Sequence, residues 1–235
     1  MTGAPGEILT IDIGGSHIKA TILDNNSKMQ MDYEKVVTPV PAEPTAVLEA
    51  IKTLVKDFPS YEKISVGFPG YIKDGVVITA PNLGTESWHN VNFAKLLSDT
   101  FNKPAKVIND ADMQGLGVAS GKGLEMVLTL GTGFGTALLK DGVLLPHVEL
   151  AHHPISKDQT YDEYIGEKAL EKIGRKKWSK RVEMILTVLQ TVFNYDVLYI
   201  SGGNATKLKF KMADNVKIVS NEDGIHGGAR LWANG

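Results

Sequence analysis

Residues 7–13 are mostly apolar and rich in β-formers, which predicts a buried strand. The glycines Gly14 and Gly15 then turn the chain into a second β-type segment over 17–23, so the first pair is expected to be a hairpin. Pro39, Pro41 and Pro44 interrupt the chain before Val47, Leu48, Ile51, Leu54 and Val55, whose spacing is that of one helix face. Further strands are expected over 63–67, 105–108 and 197–200. Asn109-Asp110-Ala111-Asp112 reads as a strand-to-helix turn, with either aspartate able to cap a helix reaching about Ser120. Strands alternating with helices make the fold class α/β.

The pattern also repeats. Residues 8–15 resemble residues 127–133: each is a buried-type strand entering a glycine turn, then a second β segment ending in an aspartate, Asp24 or Asp141. Two similar lobes holding a ligand between their turns would explain the echo.

Composition narrows the class. With 235 residues, 43% hydrophobic and 22% charged, the chain can bury a sizeable core. No stretch approaches the roughly 18 apolar residues of a membrane span, and the first six residues have no signal-peptide character, so a soluble cytoplasmic protein is expected. The absence of cysteine excludes disulfides, thiolate nucleophiles and cysteine-ligated zinc. A net charge of −2 gives no global field for nucleic acid or membranes. Locally, however, residues 168–181 carry seven basic side chains against the single acid Glu171, a window of +6 that leaves the remainder at −8. A solvated helix face is the ordinary explanation of such a run, and an anion-binding surface is the alternative.

Three glycine turns are candidates for binding phosphate, because backbone N–H groups approach phosphate oxygens most closely where no Cβ intervenes. They are Asp12-Ile13-Gly14-Gly15-Ser16, Gly131 to Thr136, and Ser201-Gly202-Gly203-Asn204. Any one alone would also suit a tight hairpin. A Walker A loop is excluded near Gly121-Lys122, where Leu116 and Gly123 occupy positions that need Gly and Ser or Thr. Gly131, Gly133 and Gly135 lack the dinucleotide-binding spacing.

Taken in order, these elements resemble the ROK family of sugar kinases, and most of all its polyphosphate glucokinase branch. The resemblance is carried by Asp12 to Lys19, Gly67-Phe68-Pro69-Gly70, Pro81-Asn82-Leu83-Gly84 with Ser87-Trp88, and Asn109 to Asp112. It continues through Gly131 to Gly135, Glu149-Leu150-Ala151-His152 and Ser201 to Asn204. The branch is suggested by residues 161–166, 176–181 and 227–232. The resemblance implies an actin/hexokinase-like (ribonuclease H-like) fold of two mixed-sheet lobes with a cleft. The lobes are expected over 1–110, completed by a C-terminal helix at 224–235, and over 111–223.

The implied activity is transfer of a phosphoryl group from polyphosphate or ATP to the 6-hydroxyl of glucose or mannose. By that resemblance Asp110 is the general base, leaving Asp112 favoured as the helix cap, and Asn82, Asn109, Glu149 and His152 bind sugar hydroxyls. Asp12 holds Mg²⁺ through water, which suits a metal that prefers carboxylate and phosphate oxygens. Gly14, Gly15, Ser16, Lys19, Gly131, Thr132 and Gly133 face the donor phosphates, and Gly202 and Gly203 its far end. A carboxylate that accepts the hydroxyl proton as the bond to phosphorus forms contributes about 10²- to 10⁴-fold.

The chain departs from the family in three ways. The zinc ion that most ROK proteins hold with a histidine and three cysteines is not expected here. The usual Glu-x-Gly-His carries alanine at Ala151. A further sugar-binding glutamate aligns with Asp162 or, shifted by one, Glu163.

On one helix, Lys177, Lys180 and Arg181 would share a face with Lys172 and Lys176 alongside, a stripe suited to a polyphosphate chain. A homodimer is implied by the family. The alternatives are a sugar-sensing ROK protein or an ATPase of the actin-like superfamily. ROK repressors carry a helix-turn-helix ahead of the kinase-like part, for which a first strand at about Glu7 leaves no room. The actin-like ATPases would lack the Asn-Asp and Glu-x-x-His sugar set.

Overall fold

The computed structural model describes residues 6–220 and 224–233. The first five residues and the last two of the helix expected over 224–235 lie outside the described residues. The chain divides into two compact units, one made of Met1–Gly117 with Ile225–Gly235, the other of Val118–Gly224.

The first unit contains the strands β1 (Ile8–Ile13), β2 (His17–Leu23), β3 (Glu34–Val37), β4 (Lys63–Phe68), β5 (Ile72–Lys73), β6 (Val76–Val77) and β7 (Ala105–Asn109). Five of them form a sheet in the order β3-β2-β1-β4-β7, while β5 and β6 pair separately. Leu9, Ile11 and Ile13 alternate with Ile8 and Thr10, all fully buried, because β1 is central and covered on both faces. One cover is α1 (Pro44–Leu54), whose Val47, Leu48, Ile51 and Leu54 are buried as their spacing predicts, with Pro44 in the first turn where a missing N–H costs nothing. The helices α2 (Thr85–Trp88) and α3 (Phe93–Phe101) add Trp88 and Phe93. These rings meet each other and Phe68 edge to face, with centroids 4.8 to 6.0 Å apart.

Beyond β7 runs α4 (Asp110–Val118). In the second unit the strands are β8 (Leu124–Leu130), β9 (Phe134–Lys140), β10 (Val143–Leu144), β11 (Pro154–Ser156), β12 (Gln159–Thr160), β13 (Val197–Ser201) and β14 (Val216–Ile218). Its main sheet has the order β10-β9-β8-β13-β14.

The two orders are one topology. In each, a central strand pairs antiparallel with its hairpin partner and parallel with the strand on its other side. The short echo between residues 8–15 and 127–133 is therefore the trace of a duplicated sheet. The second sheet is covered by α5 (Tyr161–Ile165), α6 (Glu167–Ile173) and α7 (Arg175–Phe193), the last burying Trp178, Val182, Ile185, Leu186 and Leu189. The loop entering β8 is pinned by the fully buried Glu125, which accepts hydrogen bonds from the Ser120 and Gly121 N–H groups and the Tyr199 hydroxyl at 2.7 to 2.9 Å.

The chain returns to the first sheet through α8 (Gly227–Arg230), which packs on β1 and β4. Ser65 donates to the Gly228 carbonyl at 2.6 Å, Trp232 donates to Ser65 at 2.8 Å, and Lys63 and Lys106 lie over the Trp232 ring. Among the described residues no helix is long and apolar enough to cross a membrane.

Candidate active site

In the first unit, β1, β4 and β7 run parallel, and their register sets Asp12 level with Gly67 and Gly67 level with Ile108. The turn after Ile13 and the start of α4 therefore emerge from the same edge of the sheet, the carboxyl end, where open α/β sheets bind their ligands. Two neighbouring strand spacings separate them, about 10 Å.

The turn closes with the Gly14 N–H donating to the His17 carbonyl at 2.9 Å, and Thr38 braces it through its hydroxyl on the Gly14 carbonyl at 2.6 Å. Neither Gly14 nor Gly15 takes a left-handed conformation. A Cβ on Gly15 would approach nothing closer than Asn82 Cβ, at 3.8 Å. Asn82 itself is exposed. Asp12 and Lys19 are opposed across the hairpin with Oδ2 and Nζ 4.0 Å apart, and 37% of the Asp12 side chain remains accessible. Burial pushes the Asp12 carboxyl above its ordinary value, against the pull of Lys19.

At the end of β7, the sequence expectation for the cap is corrected. The cap of α4 is Asn109, whose Oδ1 accepts from the Ala111 N–H at 2.8 Å and the Asp112 N–H at 3.3 Å, while its amide donates to the Gly70 carbonyl at 3.1 Å. Asp112 lies inside the first turn, buried, where its own N–H is one of those being capped. Asp110 stands between them on the first helical residue, partly exposed, with Oδ1 accepting from the Ala111 N–H at 2.9 Å. Asn109, expected on the sugar, thus spends its side-chain oxygen and one amide hydrogen on the fold that holds Asp110.

In the second unit the turn after β8 is gripped from several sides. The Gly131 N–H donates to the Gly133 carbonyl at 3.1 Å, and Gly135 donates to Thr129 Oγ1 at 3.0 Å. Buried Asn204 donates its side-chain amide to the Gly131 carbonyl at 3.0 Å and its N–H to Leu130 at 2.9 Å. This contact requires the Ser201 to Asn204 turn to lie against β8. Gly202, at φ 95°, is the residue that permits it, since any Cβ there would strike the Leu130 backbone.

Asp162 Oδ1 accepts from the Phe134 N–H at 2.8 Å, and Glu167 donates to the Thr132 carbonyl at 3.2 Å. Glu163, the other residue considered for the sugar, is committed to a capping box with Thr160 at the start of α5. By contrast, a Cβ on Gly131 or Gly203 would meet nothing within 4 Å. These two glycines take ordinary backbone conformations and have open space beside them, so the fold itself does not demand them.

Glu149 precedes and His152 ends a single 3₁₀ turn, Leu150–His152. Glu149 Oε2 lies 3.6 Å from Nε2 of the nearly buried His147, an ion-pair distance too long for a hydrogen bond. Burial opposes the ionised form of Glu149. His147, the charge of His152 and the Ala151 N–H outweigh it and hold the carboxyl below its ordinary value. Among the described residues no three His, Asp or Glu side chains converge as a metal cage.

The basic run is not one helix. Gly174, at φ 77°, ends α6 and begins α7, so Lys172 sits on a different helix from Lys176, Lys177, Lys180 and Arg181. Two of the cations are structural: Arg175 donates to the Thr206 and Lys207 carbonyls, and Arg181 donates to the Tyr164 carbonyl at 3.1 Å while stacking 4.1 Å from its ring centroid. Lys168, Lys172, Lys176, Lys177 and Lys180 remain exposed. Sequence reasoning missed the bracing roles of Asn204, Thr38 and Asp162. The signal for Asn204 was its place directly after a Gly-Gly pair that ends a buried strand.

Comparison with known proteins bears on the same residues. Residues 8–153 match the ROK family. The chain is 34% identical over 84% of its length to a polyphosphate glucokinase of Mycobacterium leprae, and 32% identical over 84% to one of Mycobacterium tuberculosis. The matched region spans 63% of the first protein and 77% of the second. The crystal structure of an inorganic polyphosphate/ATP-glucomannokinase from Arthrobacter sp. strain KM superposes with a TM-score of 0.86 at 31% identity, covering 97% of this chain and 98% of that one. The architecture is the actin/hexokinase-like fold.

Proposed function

We propose that this chain, which belongs to the ROK family, is a glucokinase that transfers a phosphoryl group from polyphosphate or ATP to the 6-hydroxyl of glucose, with mannose as a second acceptor. The observation that carries the reading is the pairing of two features at one sheet edge, the open glycine turn behind Asp12 and the carboxylate of Asp110 at the mouth of β7.

In this reading Asp110 accepts the proton of the attacking hydroxyl. Asn109 holds it there through the helix cap and offers its remaining amide hydrogen to the sugar. Asn82, Glu149 and His152 bind other hydroxyls, and the depressed Glu149 carboxyl stays an acceptor across the physiological range. Gly14, Gly15, Ser16, Lys19, Gly131, Thr132 and Gly133 line the donor phosphates, with Gly202 and Gly203 toward the donor's far end. A partly accessible carboxylate fits a hard cation shared with phosphate and water, so Asp12 would hold Mg²⁺. The ion would supply charge neutralisation on the phosphates.

The exposed lysines of α6 and the first turns of α7 support a polyanionic donor. No acid stands in the first turn of α7, and lysines at a helix amino terminus oppose its dipole, a cost that a bound anion relieves. With Asp110→Asn, turnover should fall at least about 100-fold while glucose still raises the melting temperature. Near-normal turnover would remove Asp110 from its role. With Lys177→Ala and Lys180→Ala combined, the polyphosphate KM should rise severalfold at low salt and converge on wild type as salt increases, the ATP KM changing less. An unchanged polyphosphate KM would leave these lysines solvated only.

A further inference from the structure

Asp162 spends one carboxylate oxygen on the glycine turn after β8. It occupies the second residue of α5, where it has no capping duty, because Thr160 and Glu163 already complete the capping box. Its Oδ1 instead reaches the backbone of the 131–134 turn and accepts from the Phe134 N–H at 2.8 Å. The turn is shaped to receive it: a Cβ on Gly133 would lie 2.6 Å from that same oxygen. Gly166, just after α5, is constrained first by its own helix, since a Cβ there would lie 2.5 Å from the Asp162 carbonyl, and then by the Thr132 carbonyl at 3.1 Å, which the Glu167 N–H also meets. The stretch from Asp162 to Glu167 therefore clamps one side of the turn, and Asn204 clamps the other.

Gly131 has no such reason to be glycine. The two glycines divide the labour, Gly133 making room for the clamp and Gly131 leaving space beside the turn.

We propose that Asp162 is a positioning residue for the 131–134 turn, holding the turn in the shape that receives donor phosphates. The assignment rests on the donor role given above to Gly131, Thr132 and Gly133. The groups around its carboxylate are His152, Glu149, Glu163 and the Phe134 N–H. Burial, helped by Glu149 and Glu163, pushes the carboxyl up against the opposing pull of the Phe134 N–H and His152. A neutral acceptor of the same shape is therefore tolerated at this position.

The test separates the two substrates. In the purified full chain, Asp162→Ala should raise the KM for ATP and for polyphosphate about tenfold, the scale of losing a hydrogen bond to a charged acceptor, with the glucose KM within about twofold. Asp162→Asn keeps an acceptor oxygen and should hold all three KM values within about threefold of wild type. Amide hydrogen exchange at Phe134 gives a readout independent of activity: protected in wild type and Asp162→Asn, exposed in Asp162→Ala. If the alanine variant does not fold, Gly133→Ala, whose Cβ displaces the Asp162 carboxylate, should reproduce the lost protection of Phe134.

A glucose KM that rises about tenfold in both Asp162 variants, with donor KM unmoved, would overturn the proposal and return Asp162 to the sugar. Unchanged protection of Phe134 in Asp162→Ala would overturn it as well. Failure of the underlying reading looks different: Gly131→Ala would then leave the donor KM at the wild-type value, whatever Phe134 protection reports.

Discussion

The two glycine hairpins, at Gly14 to Ser16 and Gly131 to Phe134, sit at equivalent points of two sheets with one topology, yet they are built by different means. The first is closed by backbone hydrogen bonding, braced by the Thr38 hydroxyl and flanked by the opposed charges of Asp12 and Lys19. The second has no charge within the turn and is held by the side chains of Thr129, Asp162 and Asn204, two of them from distant elements. Duplication of a sheet reproduces the backbone path, while the chemistry at its tip is set by side chains that the repeat does not copy. One tip thus stands beside a partly accessible carboxylate, and the other has open space beside Gly131.

The strongest break of this asymmetry is Asp12→Asn, which should lower turnover by at least about 100-fold through loss of the cation ligand. Its stability effect should have the opposite sign. The Asp12 carboxyl is raised in the folded state, so its ionised form disfavours folding at pH values above that raised value, and the cost disappears as pH falls through it. The variant should therefore melt higher than wild type at pH 8, the gain shrinking toward pH 4. A lower melting temperature at pH 8 would contradict the raised carboxyl, while the turnover measurement alone tests the cation role. No corresponding substitution exists in the second turn.

A smaller effect tests what the turns share. Gly15→Ala and Gly131→Ala introduce Cβ atoms that the fold accommodates, so melting temperatures should hold within about 2 °C. Each should nevertheless raise the donor KM about tenfold by crowding a phosphate, as steady-state kinetics will report. If only one of them does, only that turn contacts the donor.

The smallest contrast concerns the braces. Asn204→Ala removes a buried donor from the Gly131 carbonyl and should cost about 1.5 kcal/mol in urea unfolding. Thr38→Val removes the Gly14 brace at about 1 kcal/mol. Equal donor KM increases in both variants would mean that the two turns are equally dependent on their supports.

Much of this was legible along the chain. The face of α1, the buried β1, both hairpins and the helix after Asn109 follow from local periodicity and glycine placement, because a 3.6-residue or two-residue apolar period has few ways to be buried. The motif order carried the family for the same reason, each motif being a short local segment. Misreadings arose where one element acts on another. Asn109 rather than Asp112 caps α4, and Gly174 divides the basic run between two helices.

The sequence by itself determined the strands, the duplicated hairpins and the candidate carboxylate at Asp110. Only the tertiary structure decided which polar side chains are spent on the fold. A hydrogen bond depends on distances of about 3 Å between groups, and spacing along the chain does not encode those distances.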